Sequence, residues 1–293
     1  LISALATDSS VTALCRTKNL QAENYGKSYG FDILFGKANY DCVHPLRIGL
    51  NAYADTCPYA EGGMSKCPVS ANCDYLNAKK AAMRSKRRSL NYPYYLSAGW
   101  PKVPALASKT LALDEAHELP DIITEWAGLE VNEKVRKKWD LPVFPIISGS
   151  SKYLFIQSNP VSMAQNWLIE ALAILNKHYN YLLNNNQNVA FFVLDDDNDS
   201  DGESNTRKLK QCENIMRKFD ATVSALMNNP NDWYVKSSPH QDGFTPPMFT
   251  CKPLSARYHF KNYFSAETMI LMSATIGDYA VFAEELGINA YEY

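Results

Sequence analysis

Three stretches of the chain share one pattern, a short unbroken apolar run that stops at small or polar residues. They are VTALCRT from Val11 to Thr17, TLALD from Thr110 to Asp114 and TMILMSAT from Thr268 to Thr275. Short runs of apolar and β-branched residues with polar boundaries predict buried strands. In an open α/β sheet, ligands bind just beyond the carboxyl ends of parallel strands. The three strand ends carry Arg16-Thr17, Asp114-Glu115-Ala116-His117 and Ser273-Ala274-Thr275, and are therefore expected to line one site.

Two long interruptions separate these strands. The first, residues 40–88, has few strand signals. The second, residues 126–245, repeats apolar positions at helical spacing. From Val161 to Leu183 these include Met163, Trp167, Leu168, Ala171, Leu175 and Leu182; from Thr206 to Met227 they are Leu209, Cys212, Ile215, Phe219, Val223 and Leu226. Both stretches predict helices with a buried face. Cys212 sits on the second stripe and reads as a small buried hydrophobe. DWYVK and MFTCKPL predict two short strands leading back to the sheet, with Cys251 in the core.

Hydrophobic residues make up 46% of the chain and charged residues 20%, the balance of a folded globular protein. At 293 residues it exceeds what one compact core usually takes. No stretch is apolar for long enough to span a bilayer, so no membrane is expected as a partner. The opening LISALATDSS begins at Leu1 and lacks the basic head and apolar run of a signal peptide. These features predict a piece of an intracellular protein, cytoplasmic in a bacterium or phage-infected cell and nuclear in a eukaryote.

A net charge of −2 announces no nucleic-acid partner, but one local run does. Lys79, Lys80, Arg84, Lys86, Arg87 and Arg88 carry positive charge with no acid between them, and Tyr92, Tyr94 and Tyr95 follow. Cations beside aromatic rings suit a single strand, because charges meet its phosphates and rings stack on its bases. A solvated helix face followed by core tyrosines fits the same residues.

Asp114 and Glu115 stand at the exit of a predicted buried strand. In nucleotide-hydrolysing motors an acid in that place holds Mg²⁺, often through water, and its neighbour orients or deprotonates the attacking water. Asp114, Glu115 and His117 are therefore the candidate catalytic set. The hydroxyls around Ala274, on Ser273 and Thr275, can bridge that site to a neighbouring surface by short hydrogen bonds. Such a motor also needs a phosphate-cradling loop, G-x-x-x-x-G-K-[S/T]. Gly26-Lys27-Ser28 resembles its tail, but Gln21 stands where the first glycine belongs, and the chain has no other match. The loop is expected upstream of Leu1. A second apparent motif, DDDNDSDGES, places Asp197, Asp199, Asp201 and Gly202 as in a calcium loop, yet Lys208 occupies the twelfth position where a glutamate is required. It reads as a solvated acidic loop.

Cys42, Cys57, Cys67 and Cys73 follow the spacing C-x14-C-x9-C-x5-C. Structural zinc sites usually use tight C-x2–4-C knuckles, which are absent here. Four spread thiolates suit an iron–sulfur cluster, with one ligand at each iron. Spacing leaves iron–sulfur, zinc and unrelated buried thiols all open, and His44 is available as a substitute ligand.

Taken in order, these pieces resemble the XPD/DinG family of iron–sulfur superfamily 2 DNA helicases. ALCRTKNLQAE is similar to motif Ia of that family, "TRT" followed by glutamines. LFGKANYDC resembles the "GRxNYLC" stretch that supplies the first cluster cysteine, here Cys42. CDYLNAKKAAMRSKRRSLNYPYYL resembles "CPYYxAR…NYxYLL", which makes Cys73 the fourth ligand and Cys57 and Cys67 the middle pair. LDEAHELPD matches motif II, and LMSATIGD resembles motif III, "TSATL".

The resemblance implies an α/β fold: a partial RecA-like P-loop motor domain interrupted by an iron–sulfur cluster domain and a mostly helical arch domain. The motor would take residues 1–39, 89–125 and 246–293, the cluster domain 40–88 and the arch 126–245. The implied activity is ATP-dependent 5′ to 3′ translocation on single-stranded or forked DNA, with Mg²⁺ and a [4Fe–4S] cluster as cofactors. Arg16, Thr17, the Lys79–Arg88 run, Tyr92 and Tyr94 would touch DNA, and Ser273, Ala274 and Thr275 would couple it to hydrolysis. The middle cysteines are spaced unlike those of many relatives. Without a phosphate loop, a second motor domain and its arginine fingers, this chain alone is expected to be inactive. Two other classes fit parts of the pattern: a metal-stabilised single-strand binding module that needs no ATP, and an RNA-directed DEAH motor, against which the cysteines argue.

Overall fold

The computed structural model describes residues 10–45, 53–54, 57, 59, 64–97, 108–147, 159–189, 205–238 and 247–288. Within them run β1 (Val11–Cys15), β2 (Asp32–Leu34), β3 (Arg87–Asn91), β4 (Thr110–Asp114), β5 (Leu129–Asn132), β6 (Trp233–Ser238), β7 (Met248–Pro253) and β8 (Thr268–Met272). The helices that matter below are α1 (Asp74–Arg84), α2 (Tyr92–Ser97), α3 (Leu119–Ala127), α4 (Glu133–Lys138), α5 (Pro160–Val189) and α6 (Asn205–Asn228). The chain divides into two compact units, one of Leu1–Ile123 with Ala256–Tyr293 and one of Thr124–Ser255.

The first unit is α/β. Its sheet has the strand order β2-β3-β1-β4-β8, and every neighbouring pair is parallel. The three strands expected from the apolar runs are all present and adjoin one another. β1 is buried along its whole length, as a strand covered on both faces must be. Parallel neighbours need a long crossover between them. The crossover from β2 to β3 holds the four clustered cysteines and α1, so that interruption is an insertion between neighbouring strands of one sheet. The sheet extends into the expected interruption, because β3 begins at Arg87.

Between β1 and β2 the chain forms a nine-residue π-helix, Leu20–Ser28. Gln21 fixes it to the sheet: its buried amide nitrogen donates to the carbonyls of Leu34, at 3.2 Å, and Ser89, at 2.8 Å. The GKS triplet falls at the carboxyl end of this helix, where Lys27 pairs with Glu23 at 2.8 Å and Ser28 Oγ donates to the Glu23 carbonyl. That end of a helix carries negative partial charge and repels phosphate.

The second unit is helical with a small sheet. DWYVK and MFTCKPL form β6 and β7, as their composition predicts, but they do not join the parallel sheet. They pair antiparallel with each other, and β7 pairs with β5 in a separate sheet of order β5-β7-β6. Antiparallel partners can lie far apart in sequence, which the local pattern does not reveal. α5 and α6 follow the two helical stripes and pack on one another. Trp167 lies at the centre of the core, with its ring 4.5 Å from Phe249, 5.5 Å from Phe144 and 6.0 Å from Phe219. Cys212 and Cys251 are both fully buried, as expected, and burial pushes their thiols up to about 11 and about 12. Asp197, Asp199, Asp201 and Gly202 lie outside the described residues. Among the described residues no helix is long and apolar enough to cross a membrane.

Candidate functional site

β4 pairs with β1 on one side and with β8 on the other, so the carboxyl ends of these strands meet at one sheet edge. β4 ends on Asp114. Glu115 then takes the left-handed conformation, φ 52° and ψ 46°, which a non-glycine residue adopts only when its surroundings hold it there. The sharp turn leads into one 3₁₀ turn, Ala116–Glu118. Asp114, Glu115 and His117 are thereby released from the strand's alternation between faces.

Asp114 is held from three directions. Its Oδ1 accepts the Glu115 N–H at 3.0 Å, its Oδ2 accepts the Tyr25 hydroxyl at 2.9 Å, and its carbonyl accepts the Tyr92 hydroxyl at 2.7 Å. Both tyrosines are buried. Burial, reinforced by the charge of Asp114, pushes the Tyr25 hydroxyl well above its ordinary value, so it remains a donor. Burial also raises Tyr92. Cys15, beneath them on β1, is driven up to about 12 by burial, opposed by its hydrogen bond with Ser89 and reinforced by Asp114. A thiol kept protonated in this way is a poor nucleophile.

His117 Nδ1 lies 2.7 Å from Ser273 Oγ and 3.4 Å from Glu115 Oε2. Ser273 Oγ also accepts the Thr275 N–H at 3.2 Å and lies 3.4 Å from Thr275 Oγ1, with Ala274 between them in sequence. The loops after β4 and β8 are thus tied side chain to side chain. Arg16, just past β1, pairs with Glu118 Oε1. Thr17 Oγ1 accepts the Leu20 N–H at 3.2 Å, at the start of the π-helix.

The donor set at Asp114 suits a hard divalent cation. Each carboxylate oxygen accepts one hydrogen bond and can accept two, so a lone pair remains on each for Mg²⁺ or its water. The Glu115 side chain is 43% exposed, so solvent reaches its carboxylate.

Cys42, Cys57, Cys67 and Cys73 line one pocket whose walls include Val43, Ala54, Met64 and Val69, with His44 at the same pocket. Burial pushes the Cys57 thiol up, opposed by a backbone hydrogen bond at Tyr59 and reinforced by the neighbouring Cys42, Cys67 and Cys73. Ionising Cys57 is therefore uphill unless cationic charge offsets it. Among the described residues no group of three or more His, Cys, Asp or Glu side chains is gathered as ligands of a single ion. A cluster asks for a different arrangement, one thiolate at each of four irons around a pocket.

The basic run divides. Lys80, Arg84 and Lys86 are exposed, and Lys79 and Arg87 are half-buried. Arg88 corrects the expectation of a uniform solvent-facing run: it sits inside β3 at 3% exposure, donates Nη1 to the Ala82 carbonyl, and burial lowers its pKa. Tyr92 corrects the expected row of base-stacking rings, because it is buried with its hydroxyl on Asp114. Tyr95 is buried too, stacked on Phe264 at 5.7 Å. Tyr94 remains partly exposed and shares a 3.2 Å hydrogen bond with Tyr75.

No protein-family model matches this chain, and no curated protein matches it. Sequence reasoning missed Tyr25 and Glu118. Glu118 directly follows the D-E-A-H run and could have been found from that neighbourhood. Tyr25 reaches Asp114 across 89 residues, and no local pattern marks it.

Proposed function

We propose that this chain is the first motor part of an ATP-dependent DNA helicase of the XPD/DinG kind. Such a protein translocates 5′ to 3′ on single-stranded DNA and carries a [4Fe–4S] cluster domain and an arch domain inserted into a RecA-like fold. The observation that carries the reading is the 2.7 Å contact between His117 and Ser273, which joins a carboxylate loop to a hydroxyl loop at the carboxyl edge of a parallel sheet. Cys42, Cys57, Cys67 and Cys73 in one pocket support the cluster, since four neighbouring thiols beside apolar walls fit a group that supplies cationic iron.

In this reading Asp114 positions Mg²⁺, which would neutralise charge on the phosphates. Tyr25 and the Glu115 N–H fix the rotamer of Asp114. Glu115 orients the attacking water and takes its proton. His117 relays the state of that loop to Ser273 and Thr275. The cysteines would hold the cluster, which supplies a rigid staple to a segment of short helical turns. Lys80, Arg84 and Lys86 offer exposed charge to the phosphates of a single strand.

The test is single-strand-stimulated ATP hydrolysis by the encoded full-length protein, wild type against Glu115→Gln. The expected result is loss of turnover with DNA binding retained, because the amide keeps the shape of Glu115 but can no longer take the proton of the attacking water. Full turnover in Glu115→Gln would remove the site from this role. The 293-residue chain alone, which has no G-x-x-x-x-G-K-[S/T], is expected to show negligible hydrolysis.

A further inference from the structure

Arg16 has two partners to choose between. The family resemblance implies a nucleic-acid phosphate as one partner, yet in the folded chain its Nη1 is taken by Glu118 Oε1. The two side chains differ in exposure, 61% for Arg16 and 20% for Glu118. The second carboxylate oxygen, Glu118 Oε2, is buried and has no hydrogen-bond partner among the described residues. The His117 ring stands 3.9 Å from Oε1. Glu118 is thus a largely desolvated anion met by a guanidinium that still faces solvent.

We propose that Glu118 competes with single-strand phosphate for Arg16, so that binding of nucleic acid at the exit of β1 is felt in the loop that carries Glu115 and His117. The inference rests on the nucleic-acid reading above and goes beyond it by naming the contact that must change. A guanidinium binds phosphate as it binds carboxylate, through paired N–H donors. Arg16 is the exposed partner, so a phosphate can reach its guanidinium from solvent and compete for the same donors. When phosphate takes Arg16, Glu118 loses its strongest counter-charge, and the His117 ring, 3.9 Å from Oε1, is left beside it. The effect is reciprocal: whatever the pair costs nucleic-acid binding, binding costs the pair.

The competition is tested by fluorescence anisotropy of a labelled oligothymidylate at low salt. It is titrated with the wild-type chain, Glu118→Gln, Glu118→Asp, Arg16→Ala and the combined Arg16→Ala/Glu118→Gln variant. Freeing the exposed Arg16 guanidinium from its carboxylate partner should tighten binding about two- to fivefold in Glu118→Gln. Glu118→Asp keeps the charge but draws it back from Arg16, so it should also tighten binding. Where Glu118→Gln does not fold, Glu118→Asp carries the test. In the Arg16→Ala background Glu118→Gln should change nothing. Equal tightening with and without Arg16 would mean a general loss of negative charge and overturns the competition. Unchanged affinity in both Glu118 variants overturns it as well, with the nucleic-acid reading intact. An oligothymidylate that fails to bind the wild-type chain removes that reading, and the inference with it.

Discussion

Tyr25→Phe removes a single oxygen from the carboxylate site. The ring keeps its edge contact with Phe31, 5.5 Å between centroids, so packing is preserved. The lost hydroxyl is the donor to Asp114 Oδ2 at 2.9 Å. A hydrogen bond to a charged acceptor contributes about 1.5–3 kcal/mol net. Asp114 is only partly buried, so water can reach Oδ2 in the variant, and about 1–2 kcal/mol is the expected loss. For a unit of this size that lowers Tm by about 2–8 °C. Thermal unfolding followed by circular dichroism measures it, and a double-mutant cycle with Asp114→Ala assigns it. Tyr25→Phe should cost at least about 1 kcal/mol less when Asp114 is already Ala. An equal loss in both backgrounds would show that Tyr25 does not act through Asp114, and the account of how the carboxylate is oriented would fail.

Trp167→Ala should destabilise the second unit by about 3–5 kcal/mol in urea unfolding, because it empties the centre of an aromatic cluster; a loss below about 1 kcal/mol would place the core elsewhere. The buried thiol of Cys251 sets a pH dependence. Its folded value of about 12 lies above the ordinary 9, so as pH rises the unfolded chain loses this proton first. Stability from this group is complete below pH 9 and falls by about 1.4 kcal/mol per pH unit towards 12. Cys251→Ala should therefore show a shallower alkaline loss than wild type, and identical slopes would refute the assignment. Cys73→Ser should release any bound iron and increase proteolysis within residues 40–86, since ligand bonds there replace a core; an unchanged digest would count against that role.

The pattern along the chain revealed what buried apolar runs and helical stripes can reveal. β1, β4 and β8 were legible because each is short, apolar and bounded, and their meeting point followed from the rule about parallel strand ends. β3 was hidden because a buried arginine at its second position makes a core strand read as part of a basic run. β2 has three residues, too few to show a period. β5 alternates buried and exposed residues in LEVN, but four residues within a helical region carry little signal. The candidate site was legible in its sequence-adjacent residues and silent in its distant ones. Asp114, Glu115 and His117 announce themselves together, whereas Tyr25 and Tyr92 reach Asp114 only through the fold. The same holds for the tyrosines after the basic run, whose composition suited base stacking while the sheet and Phe264 took the rings of Tyr92 and Tyr95 into the core.

The iron–sulfur side of the proposed function turns on what Cys42, Cys57, Cys67 and Cys73 hold. The most direct measurement is iron, acid-labile sulfide and zinc in the anaerobically purified chain, with its absorption spectrum. The proposed function predicts a brown protein with about four irons and four sulfides per chain, a content lost in Cys73→Ser. One zinc per chain with no sulfide would contradict it.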